Sequence, residues 1–447
     1  MDHVRDIGAE LGWTPQQLRA VEFGKHKTLL GGIMRLAVQR DVSECGRALI
    51  APYRFLSAAE TRAPDAVADV IASPQFGAWA NDALRCLLDD SLLLNGIPRA
   101  TGLGRLALFA ATAAIRARLP FDLAVPLQHG LVSFPALGTA LLGTGPEAEW
   151  GQAWRDGSGC HVRSRSSTVD VPGRNEPARS GIATSNWAPL AQVSVMEHGL
   201  CLNIVLDHGD PFLDRYGPAL RRTADLDLVR WRHLAEAGWR TLSGGHRMLA
   251  TVVSTAIRAV VPLVAPTSGR VIGGTEESSF GAIAMSLPPD ALSMAETLVH
   301  ESHHAVLGAL RDIEPLTRED EPGQERSFRG YAPWRDDPRP AHALLQGIYA
   351  HYGMGQFWRR EYLTGAAAHR ERAALAFGRM RVMTARGVRS LGESGLLTEA
   401  GRRILASIDD EVTRWHGEPL PAAVERQASE VTRQHEARWR ERWPAVR

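Results

Sequence analysis

Apolar positions in the first third of the chain recur at helical spacing. In "TPQQLRAVEFGKHKTLLGGIMRLAV", Leu18, Val21, Leu29, Ile33 and Leu36 share one face of a 3.6-residue period. Thr14 ahead of Pro15 supplies a cap and a first helical position. "SPQFGAWANDALRCLL" repeats that device at Ser73 and Pro74, and "GRLALFAATAAIRARL" predicts an alanine-rich helix. Residues 1 to about 130 therefore read as helical. The character changes over 140–185, where Gly, Ser, Pro and charge predict turns and short strands, part of the stretch mobile. "AQVSVMEHGLCLNIVLDHGDPF" then alternates on both sides of Glu197-His198-Gly199, the pattern of a β-hairpin. Residues 222–262 return to a helical pattern, and "FGAIAMSL" reads as a strand. Pro288-Pro289 breaks it, and Asp290 is placed to cap a new helix. Three or four further helices fill 341–443, and no internal repeat is visible.

Composition narrows the function classes. The chain has 447 residues, 44% hydrophobic and 23% charged, with 51 Lys and Arg against 50 Asp and Glu. A net charge of +1 gives no bulk attraction to nucleic acid or to an anionic membrane. The four cysteines, Cys45, Cys86, Cys160 and Cys201, form no CxxC pair. That argues against a disulfide framework or a thiolate metal site and for a reducing compartment. "MDHVRDIGAELGW" has no apolar signal-peptide core. "ATVVSTAIRAVVPLVAP" is interrupted by Arg258 and Pro262, so it is not expected to span a bilayer. The expectation is a cytoplasmic protein with neither nucleic acid nor membrane as partner.

The chemistry is concentrated in "LVHESHHAVLGAL", residues 298–310, which contains H-E-x-x-H. On a helix, His300 and His304 lie one turn apart and about 40° around the axis, so two imidazoles can meet one cation. Glu301 flanks them, the position of the general base in zinc peptidases of this motif. His303 points to the other side of His300 and reads as a packing histidine. Two ligands do not complete a catalytic site. A third is sought at His351 or His342 on the helix predicted for "AHALLQGIYAHYGMGQFW", or at Glu314, Glu319, Glu321 or Glu325 in the loop before it. His351 leads because its neighbours are apolar and aromatic. Three histidines without a carboxylate suit zinc or iron. In "PWRDDPRP", prolines stiffen a segment that carries Arg335 and Arg339, and a fixed guanidinium suits a carboxylate clamp. Ion pairing with Asp336 and Asp337 is the plain alternative.

"SSFGAIAMS", "ETLVHESHHAVLGAL" and "PWRDDPRPAHALLQGIYAHYGMGQFW" together resemble the HExxH-motif peptide-modification proteins of bacterial gene clusters for ribosomally made, modified peptides. The likeness is densest over about 270–360. It implies an iron(II)- and 2-oxoglutarate-dependent dioxygenase that uses O₂ to hydroxylate the β-carbon of a residue in a precursor peptide. It implies iron at His300 and His304, and 2-oxoglutarate held by Arg339 or Arg335. Glu301 then supports the site instead of activating water for amide attack. The expected partners are that peptide and other maturation enzymes of the same cluster. Some members carry histidine where this chain has Gln346 and lack it where this chain has His351, so the third ligand stays open.

The expected fold class is α+β, mainly α-helical. A helical N-terminal domain (1–135) leads through a β-hairpin and helical connecting region (136–270). A zincin-like HExxH metal-binding catalytic domain follows (271–447), with a small β-sheet and C-terminal helices. "FGAIAMSL" is edge-like in this reading, open to an extended peptide by strand addition. Two other readings stand beside the hydroxylase: a zinc metallopeptidase, and a non-catalytic partner that binds a leader peptide.

Overall fold

The computed structural model describes residues 13–39, 43–89, 94, 96–146, 148–172, 186–213, 226–318 and 328–444. The chain mixes helix and sheet. Six helices come first: α1 (Pro15–Gln39), α2 (Ser43–Arg62), α3 (Pro64–Ile71), α4 (Pro74–Leu88), α5 (Arg99–Gly104) and α6 (Leu106–Ala117). Thr14 Oγ1 accepts from the Gln17 amide and Ser73 Oγ from the Phe76 amide, so both predicted caps form. α6 is buried along nearly its whole length, which its alanines permit by letting neighbours approach closely.

Nine strands follow. They are β1 (Asp122–Gln128), β2 (Leu131–Phe134), β3 (Gly138–Leu141), β4 (Ala148–Asp156), β5 (Gly159–Arg163), β6 (Thr168–Asp170), β7 (Trp187–Pro189), β8 (Ala191–Glu197) and β9 (Leu200–Leu206). The helical reading to about 130 therefore ends at Ala117. "DLAVPLQ" buries alternate residues at its start and turns back at His129-Gly130, both at positive φ, the backbone of a tight hairpin. The predicted hairpin at His198-Gly199 forms with the same signature. Strands β1 to β7 make an antiparallel sheet in the order β6-β5-β4-β1-β2-β3-β7. Residues 173–185 of the stretch read as turns lie outside the described residues.

Helices α7 (Leu228–Gly245) and α8 (Arg247–Ala256) precede β10 (Ala259–Leu263), β11 (Gly273–Thr275) and β12 (Ala282–Ser286). The helical reading to 262 is wrong over its last residues. "AVVPL" is a short, wholly buried run, and periodicity cannot tell such a run from buried helix. Pro262 is tolerated in this strand because β9 pairs only with Ala259 and Val260. The second sheet runs β11-β12-β10-β9-β8, parallel through β12, β10 and β9 and antiparallel at both ends. β12 is thus paired on both sides, and the edge expected at "FGAIAMSL" belongs to β11 instead.

The remaining helices are α9 (Ala291–Ile313), α10 (Ala341–Thr364), α11 (Arg370–Gly392), α12 (Glu399–His416) and α13 (Ala422–Arg442). Alternate residues of the central strands serve two cores. Val260, Ile283 and Met285 face α7 to α12, while Val261, Ala282 and Ala284 face α1 to α6 and the larger sheet. Among the described residues, no helix is long and apolar enough to cross a membrane.

A buried ion pair ties the helical layer to the loop after β9. Arg105 reaches Asp210, with its guanidinium over Phe109 and Phe212. Burial pushes the Asp210 carboxyl up to about 6, with Arg105 opposing. Replacing Arg105 by Ala strands a buried carboxylate, and unfolding in urea should show a loss on the order of 3 kcal/mol.

Candidate metal centre

The motif sits where the fold gives it little freedom. β12 ends at Ser286, and Asp290 caps α9 by accepting from the Ser293 amide at 2.8 Å. α9 is buried from Leu298 to Leu310 except at His300 and His304. Their Nε2 atoms lie 3.1 Å apart, and the rings stand edge to face at 4.7 Å. α10 brings His351 in from the other side, its ring 5.8 Å from that of His300. The indole of Trp334 stacks on His351 at 4.2 Å.

Hydrogen bonds select the tautomers. His351 Nδ1 lies 2.7 Å from the carbonyl of Gly347, which can only accept, so this nitrogen carries the hydrogen. His304 Nδ1 lies 3.0 Å from Gln346 Oε1. The Gln346 amide nitrogen faces Glu277 Oε1 at 3.4 Å, which fixes which amide atom meets the histidine. Glu277 is held in turn by Arg311. Both imidazoles therefore expose an Nε2 lone pair, the form a cation requires. Burial drives His304 below its ordinary pKa, holds His351 down to about 3, and lowers His300 well below the usual range, with the neighbouring rings adding to the effect at His300. Rings that stay neutral at pH 7 are available as ligands. Among the described residues, however, no three His, Cys, Asp or Glu side chains stand close enough to share one cation as they are. The donor set fits a metal, with the tautomers of His304 and His351 fixed for it; closing the set requires His351 to approach the other two.

Glu301 is buried beside them. Its Oε2 accepts from Thr275 Oγ1 of β11 at 2.7 Å, and its Oε1 lies 3.9 Å from His300 Nε2. A Cβ at Gly273 would run into that same oxygen, so the edge strand can pass close only as glycine. Burial pushes the Glu301 carboxyl up to about 7, against the Thr275 hydrogen bond. His303 is the packing residue its angle predicted: Nδ1 bonds the Val299 carbonyl at 2.8 Å, and the ring fills the space above Gly353 beside Tyr349.

The other candidates do not converge. Of the two α10 histidines, His351 is the one whose ring contacts His300. Glu314 caps the far end of α9 and leans toward Arg403, and Glu319, Glu321 and Glu325 lie outside the described residues. Arg335 and Arg339 both bond Asp337, each at 2.9 Å. Each guanidinium gives one hydrogen bond to the shared carboxylate and keeps further N–H donors. Thr275, Glu277 and Trp334 were missed in the sequence: each lies outside the motif and reaches the site only through tertiary contact.

No family model and no curated protein matches the chain. The site is therefore described by its own geometry.

The Glu301 carboxyl gives a pH dependence of definite sign. Its folded pKa, about 7, lies above the ordinary glutamate value of 4.5. The folded state therefore favours the proton, and this contribution is fully present below pH 4.5 and lost as pH rises through 7. In metal-free protein, Glu301→Gln should gain stability relative to the parent between pH 4.5 and 8, by roughly 3 kcal/mol. Urea unfolding at the two pH values measures it.

Proposed function

We propose that the chain is an iron(II)- and 2-oxoglutarate-dependent dioxygenase that hydroxylates a β-carbon in a ribosomally made precursor peptide. The observation that carries the metal assignment is the pairing of His300 with His304 at 3.1 Å, with the His351 ring against them. The choice of reaction rests on the resemblance of the three quoted stretches. A zincin-like reading of the second domain is supported by the motif helix following a parallel strand and by the antiparallel edge at β11.

Iron(II) with 2-oxoglutarate supplies O₂-dependent oxidation of a C–H bond, the co-substrate leaving as succinate and CO₂. His300, His304 and His351 would hold the metal. Gln346 keeps the His304 Nδ1 hydrogen occupied, so that its Nε2 faces the site. Trp334 covers one face of His351 and keeps water from it. Glu301, near half-protonated at neutral pH, holds a proton at Oε1 beside His300, while Thr275 donates to Oε2. A co-substrate carboxylate would meet Arg339 or Arg335 beside the Asp337 carboxylate that both already bond. Arg339 is the less exposed of the two, and its backbone is bridged to Gly330, so it is the better placed.

A zinc metallopeptidase is the second reading, and one observation favours it: a carboxyl with a pKa near 7, 3.9 Å from His300 Nε2, suits a general base. Two measurements separate the readings. Anaerobic protein should take up iron(II) and develop a weak visible band with 2-oxoglutarate, and His300→Ala should lose both. Incubated with the precursor peptide and O₂, it should add one oxygen atom, seen by mass, and Glu301→Gln should retain part of that turnover. Zinc-supported cleavage abolished by Glu301→Gln, without 2-oxoglutarate binding, would establish the peptidase instead.

Gln346 tests the tautomer argument separately. Gln346→Ala should weaken metal binding roughly 10- to 100-fold, measured by competition with a chelating dye.

A further inference from the structure

Helix contacts around the motif recur in layers, and one layer holds a cation that the site described so far does not use. α9 and α10 run antiparallel: Trp358 Nε1 donates to Glu296 Oε1 at 2.6 Å, and earlier on α10 the His351 ring meets that of His300. α11 returns antiparallel to α10, with Gly347 and Gly387 both set against the Trp334 indole. α11 therefore runs parallel to α9.

The first layer is complete. Arg372 of α11 donates to Asp290 Oδ2 and to Ser293 Oγ at the start of α9, each at 2.8 Å, and its guanidinium lies 5.2 Å over the Trp358 ring of α10. A helix presents nearly the same face seven residues on, about 10 Å further along its axis. That step leads from Ser293 to His300 and from Arg372 to Arg379. On antiparallel α10 the matching step runs backwards, from Trp358 to His351. Arg379 thus falls in the layer of the histidines.

Its Nε donates to the thioether of Met383, a buried residue one turn further on, at 3.3 Å. Burial is the main cause of the lowered His351 pKa and of the raised Glu296 pKa, and the Arg379 charge acts on both groups, adding to the first shift and opposing the second. In the first layer Asp290 matches the guanidinium. In the second, Arg379 is exposed and no carboxylate bonds it among the described residues. The imidazoles beside it are neutral and bring no negative charge. An exposed guanidinium at the rim of a cleft, with its fork largely unused, suits a carboxylate carried in by the ligand.

We propose, on the reading of this cleft as a peptide site, that Arg379 selects the substrate: it binds a side-chain carboxylate, so that the peptide carries Asp or Glu at, or next to, the residue placed over His300 and His351. This selection is the same whether the site oxidises or hydrolyses the peptide.

Fluorescence anisotropy of full-length protein with labelled, end-capped peptide pools tests it. The pools are randomised over uncharged residues except at one central position, which is Asp in one pool, Asn in the second and Lys in the third. The parent should bind the Asp pool roughly tenfold more tightly than the Asn pool, as a hydrogen bond to a charged group provides. The difference should vanish in Arg379→Gln, and Arg379→Glu should favour the Lys pool. Arg389→Gln, which removes another exposed arginine of α11, should leave the preference intact. Circular dichroism establishes that each variant is folded. The visible band of iron(II) with 2-oxoglutarate should persist in Arg379→Gln. Equal binding of the Asp and Asn pools by the parent, or a preference that survives in folded Arg379→Gln, overturns the proposal. Loss of the band in Arg379→Gln overturns it too, because the carboxylate bound is then that of the co-substrate. A parent that never develops the band refutes the oxygenase reading, and the comparison of pools still decides the role of Arg379.

Discussion

Burying imidazoles side by side on two facing helices is the constraint from which the site follows. Desolvation denies His300, His304 and His351 a proton, and neighbouring rings add to the cost of charging His300 and His351. A neutral imidazole has one donor and one acceptor nitrogen, so giving the Nδ1 hydrogens to Gln346 and Gly347 exposes Nε2 on His304 and His351. The same apolar surroundings that make these rings poor bases make them good ligands. The cost is carried by the packing around them, most directly by the Trp334 indole and the tight fit of His303 over Gly353.

That packing is not local to the motif. α9 packs against α10, α7 and α8 and meets the smaller sheet at β11 and β12, and its C-terminal turn is tied to α1 through Lys25 and Asp312. One residue before Asp312, Arg311 grips Glu277, which orients Gln346, which orients His304. A chain of polar contacts therefore runs from α9 to the residues before β12 and back through α10. Glu22, buried beside Lys25, has its carboxyl pushed up to about 7 by desolvation, so the contact between α1 and α9 is itself sensitive to pH near neutrality.

What could be read in the sequence followed local physics. The caps at Thr14, Ser73 and Asp290, the hairpin at His198-Gly199 and the strand-to-helix entry into the motif all depend on residues within a few positions of one another, and all are present. Helical geometry likewise placed His300 with His304 and turned His303 away. The failures share a cause. β10 is a short apolar run whose identity is decided by strands distant in sequence, and β1 is fixed along its whole length by pairing with β4. The edge position of β11 depends on three residues, Gly273 to Thr275, with little pattern of their own. Arg335 and Arg339 looked equally suited to a ligand carboxylate or to Asp337, and only their placement decides between these.

Glu301 shows how the edge strand bears on the chemistry. Its Oε2 is engaged by Thr275, so any proton held at neutral pH resides on Oε1, the oxygen facing Gly273 and His300. A hydrolytic base must lose that proton readily and present an ionised oxygen to water, which the Thr275 hydrogen bond favours and burial opposes. Burial outweighs the hydrogen bond here, since the pKa rises. The balance rests on how closely β11 seals the carboxyl from solvent, and therefore on the glycine at 273, where a Cβ would meet Oε1 and force that oxygen or the strand to shift.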